Sequence, residues 1–156
     1  MSQQIELMVS YTNFKEKYFP MLKKGDTIEG AINFSPIKSI NKATNPINIL
    51  KNKDNYSLTA KIIKLSHKLC IIDFGLLAFQ DENLHHKNIK EEDIIEGNFY
   101  LNFSEKSPRT QKIEEETDLV ITYKMKIDKI FDDFGDEIET LTDNFATHYR
   151  LIISII

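Results

Sequence analysis

The stretch Asp93-Ile94-Ile95-Glu96-Gly97-Asn98-Phe99-Tyr100-Leu101-Asn102-Phe103 decides how this chain is read. Its apolar residues alternate. Ile95, Phe99, Leu101 and Phe103 share one side with Gly97, while Glu96, Asn98 and Asn102 share the other. That is the period of a strand with one face buried. The same phrase occurs earlier as Asp26-Thr27-Ile28-Glu29-Gly30, with Ile32 and Phe34 following in register. Each copy has a polar, turn-like approach, Lys23-Lys24-Gly25 in one and Lys90-Glu91-Glu92 in the other. Two similar strand entries in one β-sheet are expected, and the glycine inside each strand predicts a bulge or a tight bend.

Working outward, Ile5, Leu7, Val9 and Tyr11 alternate as a first strand. Residues 56–65 and 68–73 predict a hairpin with Ser66-His67 as its turn, and the shift of phase from Ile62 to Ile63 predicts a bulge. Residues 69–74 are apolar on both sides, as in a central strand. Cys70 is then a small buried hydrophobe and not a nucleophile. After Gly75 the strand continues past a bend through residues 76–79. Leu119, Ile121, Tyr123, Met125, Ile127 and Phe131 fall on odd positions and Thr122, Lys124, Lys126 and Asp128 on even ones, the longest regular alternation in the chain. Phe145, Tyr149, Leu151, Ile153 and Ile155 close the chain as a strand paired on at least one side, since a bare apolar edge aggregates. Residues 13–24, with Phe14, Tyr18, Phe19 and Leu22 around Pro20, predict one short helix. Residues 35–55 read as a long polar loop, rich in Asn and Lys, and residues 104–118 as a second. The expected fold is mostly β: a small antiparallel barrel, OB-like or partly open, of about seven strands with one short helix.

A chain of 156 residues is expected to form one domain, spanning 1–156. One cysteine allows no internal disulfide, which suits a reducing compartment. The start of the chain lacks the pattern of a signal peptide and no apolar run is long enough to span a bilayer, so a cytoplasmic protein without a membrane partner is expected. The net charge of −4 is uneven: residues 1–78 carry 11 Lys against 6 acidic residues, and residues 79–156 carry 9 Lys or Arg against 18. Such acidic segments suit a basic partner. The Lys/Asn loop could touch phosphates, but it has no arginine and no aromatic ring before Tyr56 for stacking bases, so no nucleic acid is expected.

There is no Gly-rich phosphate loop, nucleophile elbow, His-Glu-x-x-His or Cys-x-x-Cys in the sequence. Adjacent His85 and His86 lie near carboxylates but lack further ligands at metal spacing, so neither metal nor cofactor is expected. The carboxylates of Asp132, Asp133, Asp136, Glu137 and Glu139 crowd a glycine turn at Gly135 without the ligand order of a calcium loop. They are the candidate partner-binding residues. Glu114, Glu115, Glu116 and Asp118 form a second acidic run, expected at the other end of the long strand.

The runs Cys70-Ile71-Ile72-Asp73-Phe74-Gly75, Asp93-Ile94-Ile95-Glu96-Gly97-Asn98-Phe99-Tyr100-Leu101 and Ile121-Thr122-Tyr123-Lys124-Met125-Lys126-Ile127 resemble a pattern in small bacterial β-barrel proteins. Some proteins of that sort accompany polymorphic toxins as immunity proteins. The resemblance covers residues 55–131, and Glu92 stands where its scheme has glycine. It implies a β-barrel and supplies no catalytic residue. Three function classes follow: a non-catalytic protein-binding module, most concretely a cytosolic immunity protein that blocks a basic toxin domain; an OB-like nucleic-acid-binding domain; and an enzyme whose groups converge from distant strands. The acidic loops favour the first.

Overall fold

A computed structural model describes residues 3–10, 22–37, 40–81, 88–141 and 148–156. They form eleven strands and one helix: β1 (Gln4–Ser10), β2 (Thr27–Pro36), β3 (Asn41–Lys42), β4 (Asn48–Lys51), β5 (Tyr56–Ser66), β6 (Leu69–Asp73), β7 (Leu77–Gln80), β8 (Ile94–Glu105), α1 (Pro108–Thr117), β9 (Thr122–Phe131), β10 (Glu137–Ile138) and β11 (His148–Ile155). The fold is mostly β, as the alternations require.

The two copies of the repeated phrase are β2 and β8, and they pair with each other. Their antiparallel register runs unbroken from Gly30↔Glu105 to Pro36↔Phe99. Ile28, Ile32 and Phe34 on one strand, and Ile95, Phe99, Leu101 and Phe103 on the other, are buried in one core. The entry turns match in detail. The Asp26 carboxylate accepts from the Lys23 N–H at 3.0 Å, and the Asp93 carboxylate accepts from the Lys90 N–H at 3.0 Å. The residue before each aspartate has positive φ, +95° at Gly25 and +76° at Glu92. Each turn then clasps a neighbouring strand: Gly25 N–H and Asp26 C=O bond to Ile127, while Glu92 N–H and Asp93 C=O bond to Ile62.

That match extends through half the sheet. From β2 the ladder runs through β9, β11 and β1 and returns to β8; from β8 it runs through β5, β6 and β7 and returns to β2. The two closing contacts, β1 on β8 and β7 on β2, are both parallel. A half-turn about the Phe34↔Leu101 pair exchanges the two rings. Even the bulges correspond: the register slips after Ile62 in β5 and after Ile127 in β9. The inward residues of both rings form one cluster.

The segments read as strands contain β1, β2, β5, β6, β7, β8, β9 and β11, and the bulge at Ile63 lies where the phase shift puts it; β9 begins only at Thr122, so Leu119 and Ile121 precede the strand. Cys70 is fully buried, and burial pushes its thiol up to about 12. β11 is paired on both sides. Other expectations need correction. Gly30 and Gly97 mark ring packing, not bends: a Cβ at Gly30 would stand 2.4 Å from the Phe103 ring, and one at Gly97 would stand 3.3 Å from the Phe99 ring. The β5–β6 turn is His67-Lys68. The odd-position burial of β9 stops at the bulge, so Ile130 is buried and Phe131 is not.

The loop expected at 35–55 contains β3, hydrogen-bonded to β8, and β4, hydrogen-bonded to β5. The loop expected at 104–118 contains α1. The Ser107 hydroxyl accepts from Thr110 N–H, Thr110 Oγ1 accepts from Ser107 N–H, and Pro108 opens the helix. Asp118, with φ +57°, ends it. The short helix expected at 13–24 falls mostly outside the described residues. Its last part is not helical, since Lys23 bridges to Thr140. Tyr11, His85, His86 and Phe145 also lie outside the described residues. No described helix is long and apolar enough to cross a membrane.

Candidate interaction surfaces

β9 and β10 form a short hairpin; of the five candidate carboxylates Asp132, Asp133 and Asp136 lie in its turn, Glu137 in β10 and Glu139 just past β10. The structure divides their work. Asp132 is a turn staple: its carboxylate accepts from Phe134 N–H at 2.9 Å and Asp136 N–H at 3.0 Å, while its backbone N–H donates to the Asp136 carbonyl at 3.0 Å. Gly135 supplies the φ of +83° that closes the turn. Asp133 accepts from the His148 N–H at 2.9 Å and so ties the tip to the first residue of β11. Glu137 faces Lys24 at 3.8 Å. Asp136 and Glu139 are exposed. Among them stands a residue that charge counting overlooked: Phe134, 78% exposed.

The second acidic run is not a patch of the same kind. Glu114 turns back from α1, and its Oε2 accepts from Ile121 N–H, Thr122 N–H and Thr122 Oγ1 at 2.8, 3.2 and 3.1 Å. It therefore anchors the helix to the start of β9. Glu115 accepts from Gln111, and Glu116 faces Lys112 at 3.8 Å.

A third surface emerges from the half-turn. In one half α1 lies on the outer face of the sheet, where Ile113 is buried with Ala31, Leu69, Ile71, Phe79 and Ile121. The register carries Leu69, Ile71 and Phe79 onto Arg150, Ile152 and Glu6 in the other half. There the surface is a groove of about 370 Å3, lined by Gln3, Gln4, Ile5, Glu6, Ile49, Lys51, Tyr56 and Ile152. The Glu6 carboxylate faces Lys51 at 2.9 Å and Arg150 at 3.7 Å. Tyr56 bridges the seam between β5 and β1, where its Oη accepts from the Glu6 N–H at 2.9 Å and donates to the Glu6 carbonyl at 3.1 Å. Burial pushes the Tyr56 phenol up to about 12, against the lowering effect of its hydrogen bond to the Glu6 backbone and with help from the Glu6 charge. At neutral pH it is a fixed hydrogen-bond donor and not a base. Lys51 is held over the Tyr56 ring, 5.3 Å from its centre, and donates to the carbonyls of Asn52 and Lys53. Of the lysines read as phosphate candidates, Lys51 is thus engaged with Glu6, and Lys42 faces Asp93 at 3.3 Å.

No protein-family model, no curated protein and no solved structure matches this chain. Sequence reading found the acidic tip through charge density and missed both Phe134 and the groove. The signal for Phe134 was an aromatic residue inside an Asp/Gly turn, where no strand face can bury it. The groove had no local signal, since it is built from β1, β4, β5 and β11.

Proposed function

We propose that this chain is a non-catalytic protein-binding module, most concretely a cytosolic bacterial immunity protein, and that it docks a basic toxin domain through the β9–β10 tip. The observation that carries the reading is Phe134: an aromatic ring 78% exposed on a turn already locked by the Asp132 hydrogen bonds. An aromatic anchor on a pre-ordered loop gives up little conformational entropy on docking, which is the property of an interface hot spot. Asp136, Glu137 and Glu139 around it would steer a basic partner. The two closures of the ladder support reading the scaffold as a small β-barrel that holds this tip rigid.

Asp132 and Asp133 hold the turn, so the informative variants are elsewhere. The test measures association of the chain with the product of an adjacent toxin gene. D136K/E139K should slow association about tenfold at low salt, with the loss shrinking as salt rises. Phe134→Ala should leave association nearly unchanged and speed dissociation at least tenfold. Unchanged rates in both variants would remove the tip from the interface. Submicromolar binding to a single-stranded oligonucleotide, steeply weakened by salt, would replace this reading with the nucleic-acid one.

A further inference from the structure

A second groove, of about 340 Å3, opens on the outer face of the sheet where β4, β5, β8 and β3 lie side by side. The register sets its side chains in two rows. Asn48, Thr59, Glu96 and Asn41 stand opposite one another across four strands, and Leu50, Ser57 and Asn98 form the next row across three. They point away from the core, since Leu58, Ile95 and Phe99 between them point into it. Strands lie about 4.8 Å apart, so amide and hydroxyl groups recur at that spacing across the groove. A chain of hydrogen bonds holds one end of it in place. Asn52 Nδ2 donates to Asn55 Oδ1 at 3.0 Å and to Ser57 Oγ at 2.9 Å, and Ser57 Oγ donates to Asn98 Oδ1 at 2.9 Å. The Asn98 oxygen is thereby taken, and its NH2 is left as a donor to the groove. Among the described residues the side-chain polar groups of Asn41, Asn48 and Thr59 have no hydrogen-bond partner, and Glu96 accepts only from Asn45, at 3.4 Å.

Glu96 is the one charged side chain in the two rows, and the charges around them are balanced. Lys61, the next outward residue of β5, faces Glu92 at 2.7 Å, and Lys42 faces Asp93 at 3.3 Å. Lys53 and Asp54 share the hairpin turn with opposite signs, and Lys51 lies on the other face with Glu6. Farther along β8, Tyr100 and Asn102 keep to the same outer face opposite Ser35 and Asn33, and none of the four is charged. This chemistry sorts the ligand classes. An anion meets the Glu96 carboxylate and no unpaired cation. A cation finds one half-exposed carboxylate, worth little in water. An apolar molecule leaves the amides unpaired. A neutral polyol fits, because each of its hydroxyls both donates and accepts, as the carboxamides and hydroxyls of the groove do. Leu50, 60% exposed, offers an apolar patch to the C–H face of a sugar ring.

We propose that this groove binds a neutral oligosaccharide lying along β8. One sugar ring sits between the two rows. The amide groups of Asn98 and Asn48 donate to its hydroxyls, and the Glu96 carboxylate and the Asn41 carbonyl oxygen accept from them. Leu50 covers its C–H face. Tyr100, next along the same face of β8, supplies an aromatic surface for the following ring. The site is independent of the β9–β10 tip and of any protein partner held there.

The probes are cellotetraose, maltotetraose and triacetylchitotriose, each titrated into the full chain and followed by NMR of backbone and asparagine side-chain amides. At least one should give saturable shifts centred on Ser57, Glu96 and Asn98, with the side-chain amides of Asn48 and Asn98 among them, and a Kd on the order of 0.1–1 mM. Asn98→Ala, at an exposed position, should weaken that binding about five- to tenfold, and so should Ser57→Ala, which frees the Asn98 amide to turn. Phe134→Ala, in the tip, should leave it unchanged. A sulfated oligosaccharide of the same length should bind more weakly than the neutral one. The proposal falls if none of the three sugars shifts these amides at about 20 mM, far above such a Kd. It falls equally if the shifts centre elsewhere, if Asn98→Ala and Ser57→Ala bind as the wild type does, or if the sulfated sugar binds better.

Discussion

Ile71 and Phe79 in one half of the sheet, and Ile152 and Glu6 in the other, stand at corresponding points of the ladder. The first pair lies under Ile113 of α1; the second borders an open groove. On the inner face the correspondence is kept: Ile72 and Ile153 are both fully buried in the common core. The difference shows which constraints bind. Inward positions of both rings fill one shared volume, so close packing holds them to the same apolar pattern. Outward positions answer only to whatever lies on them. One connection between the rings, residues 106–121, became a capped helix, and its outer face became apolar. The other, residues 37–55, became β3 and β4, and its outer face became Glu6, Arg150 and Gln4, held by Tyr56 and Lys51.

The largest effect that would break this comparison is expected at the two glycines. Gly30 and Gly97 are equivalent by sequence, yet a Cβ at Gly30 meets the Ser104 carbonyl at 2.6 Å as well as the Phe103 ring, whereas at Gly97 it meets the Phe99 ring at 3.3 Å. Backbone cannot swing aside, and a ring can yield by a few tenths of an ångström. Gly30→Ala should cost about 3 kcal/mol, and Gly97→Ala about 1 kcal/mol or less, by urea unfolding. Equal costs would mean that the two ribbon strands are packed alike.

A smaller effect tests the seam where the rings differ. Tyr56 takes the place of a strand at Glu6, satisfying both its backbone groups. Tyr56→Phe leaves those groups to water at a half-open groove and should cost about 1–2 kcal/mol. The sign of its pH dependence follows from a phenol raised from its ordinary value near 10 to about 12. Its contribution is fully present below pH 10 and is lost as pH rises through 12, because the unfolded chain ionises first. Cys70, raised to about 12 by burial, acts in the same direction, and it is unchanged in both proteins. Thermal unfolding from pH 8 to 12 should therefore fall less steeply for Tyr56→Phe than for the wild type. Parallel curves would show that the phenol is not what joins β5 to β1.

The inner face was legible because strand period and burial are local facts: Ile95, Phe99, Leu101 and Phe103 needed no tertiary knowledge to be placed together. The half-turn was half legible, since Asp-x-Ile-Glu-Gly repeats while the strands beside it do not resemble one another. Helix α1 was readable in principle from Ser107-Pro108-x-Thr110, but a reading built on apolar period passes over a helix that buries little beyond Ile113. β4 was hidden among Asn and Lys because an edge strand of four residues has no room to show alternation. Carboxylate counting found the acidic tip and could not sort it. That Asp132 staples and Phe134 projects depends on which backbone N–H groups the turn leaves for the side chain. The groove has residues from four strands and was not legible at all.

The smallest effect concerns the turn residue before each aspartate. Gly25 and Glu92 hold the same place, with φ +95° and +76°. For glycine this region is free. For a residue with a Cβ it costs about 1–2 kcal/mol. The strain persists at Glu92 because its N–H bonds to Ile62 O and its carboxylate faces Lys61 at 2.7 Å. Both side chains of that pair are well exposed, so water and salt screen it. Glu92→Gly removes the strain and the weak pair together, and it adds unfolded-chain entropy that opposes folding by about 0.5–1 kcal/mol. The net expectation is a gain of about 0.5 kcal/mol, a shift of about 1–2 °C in Tm for a chain of this size. The reciprocal Gly25→Ala should lose about 1 kcal/mol, since alanine takes on the same strain with no partner like Lys61. If Glu92→Gly destabilises instead, the Lys61 contact matters more than its exposure suggests, and the two entry turns are equivalent in shape but not in what holds them.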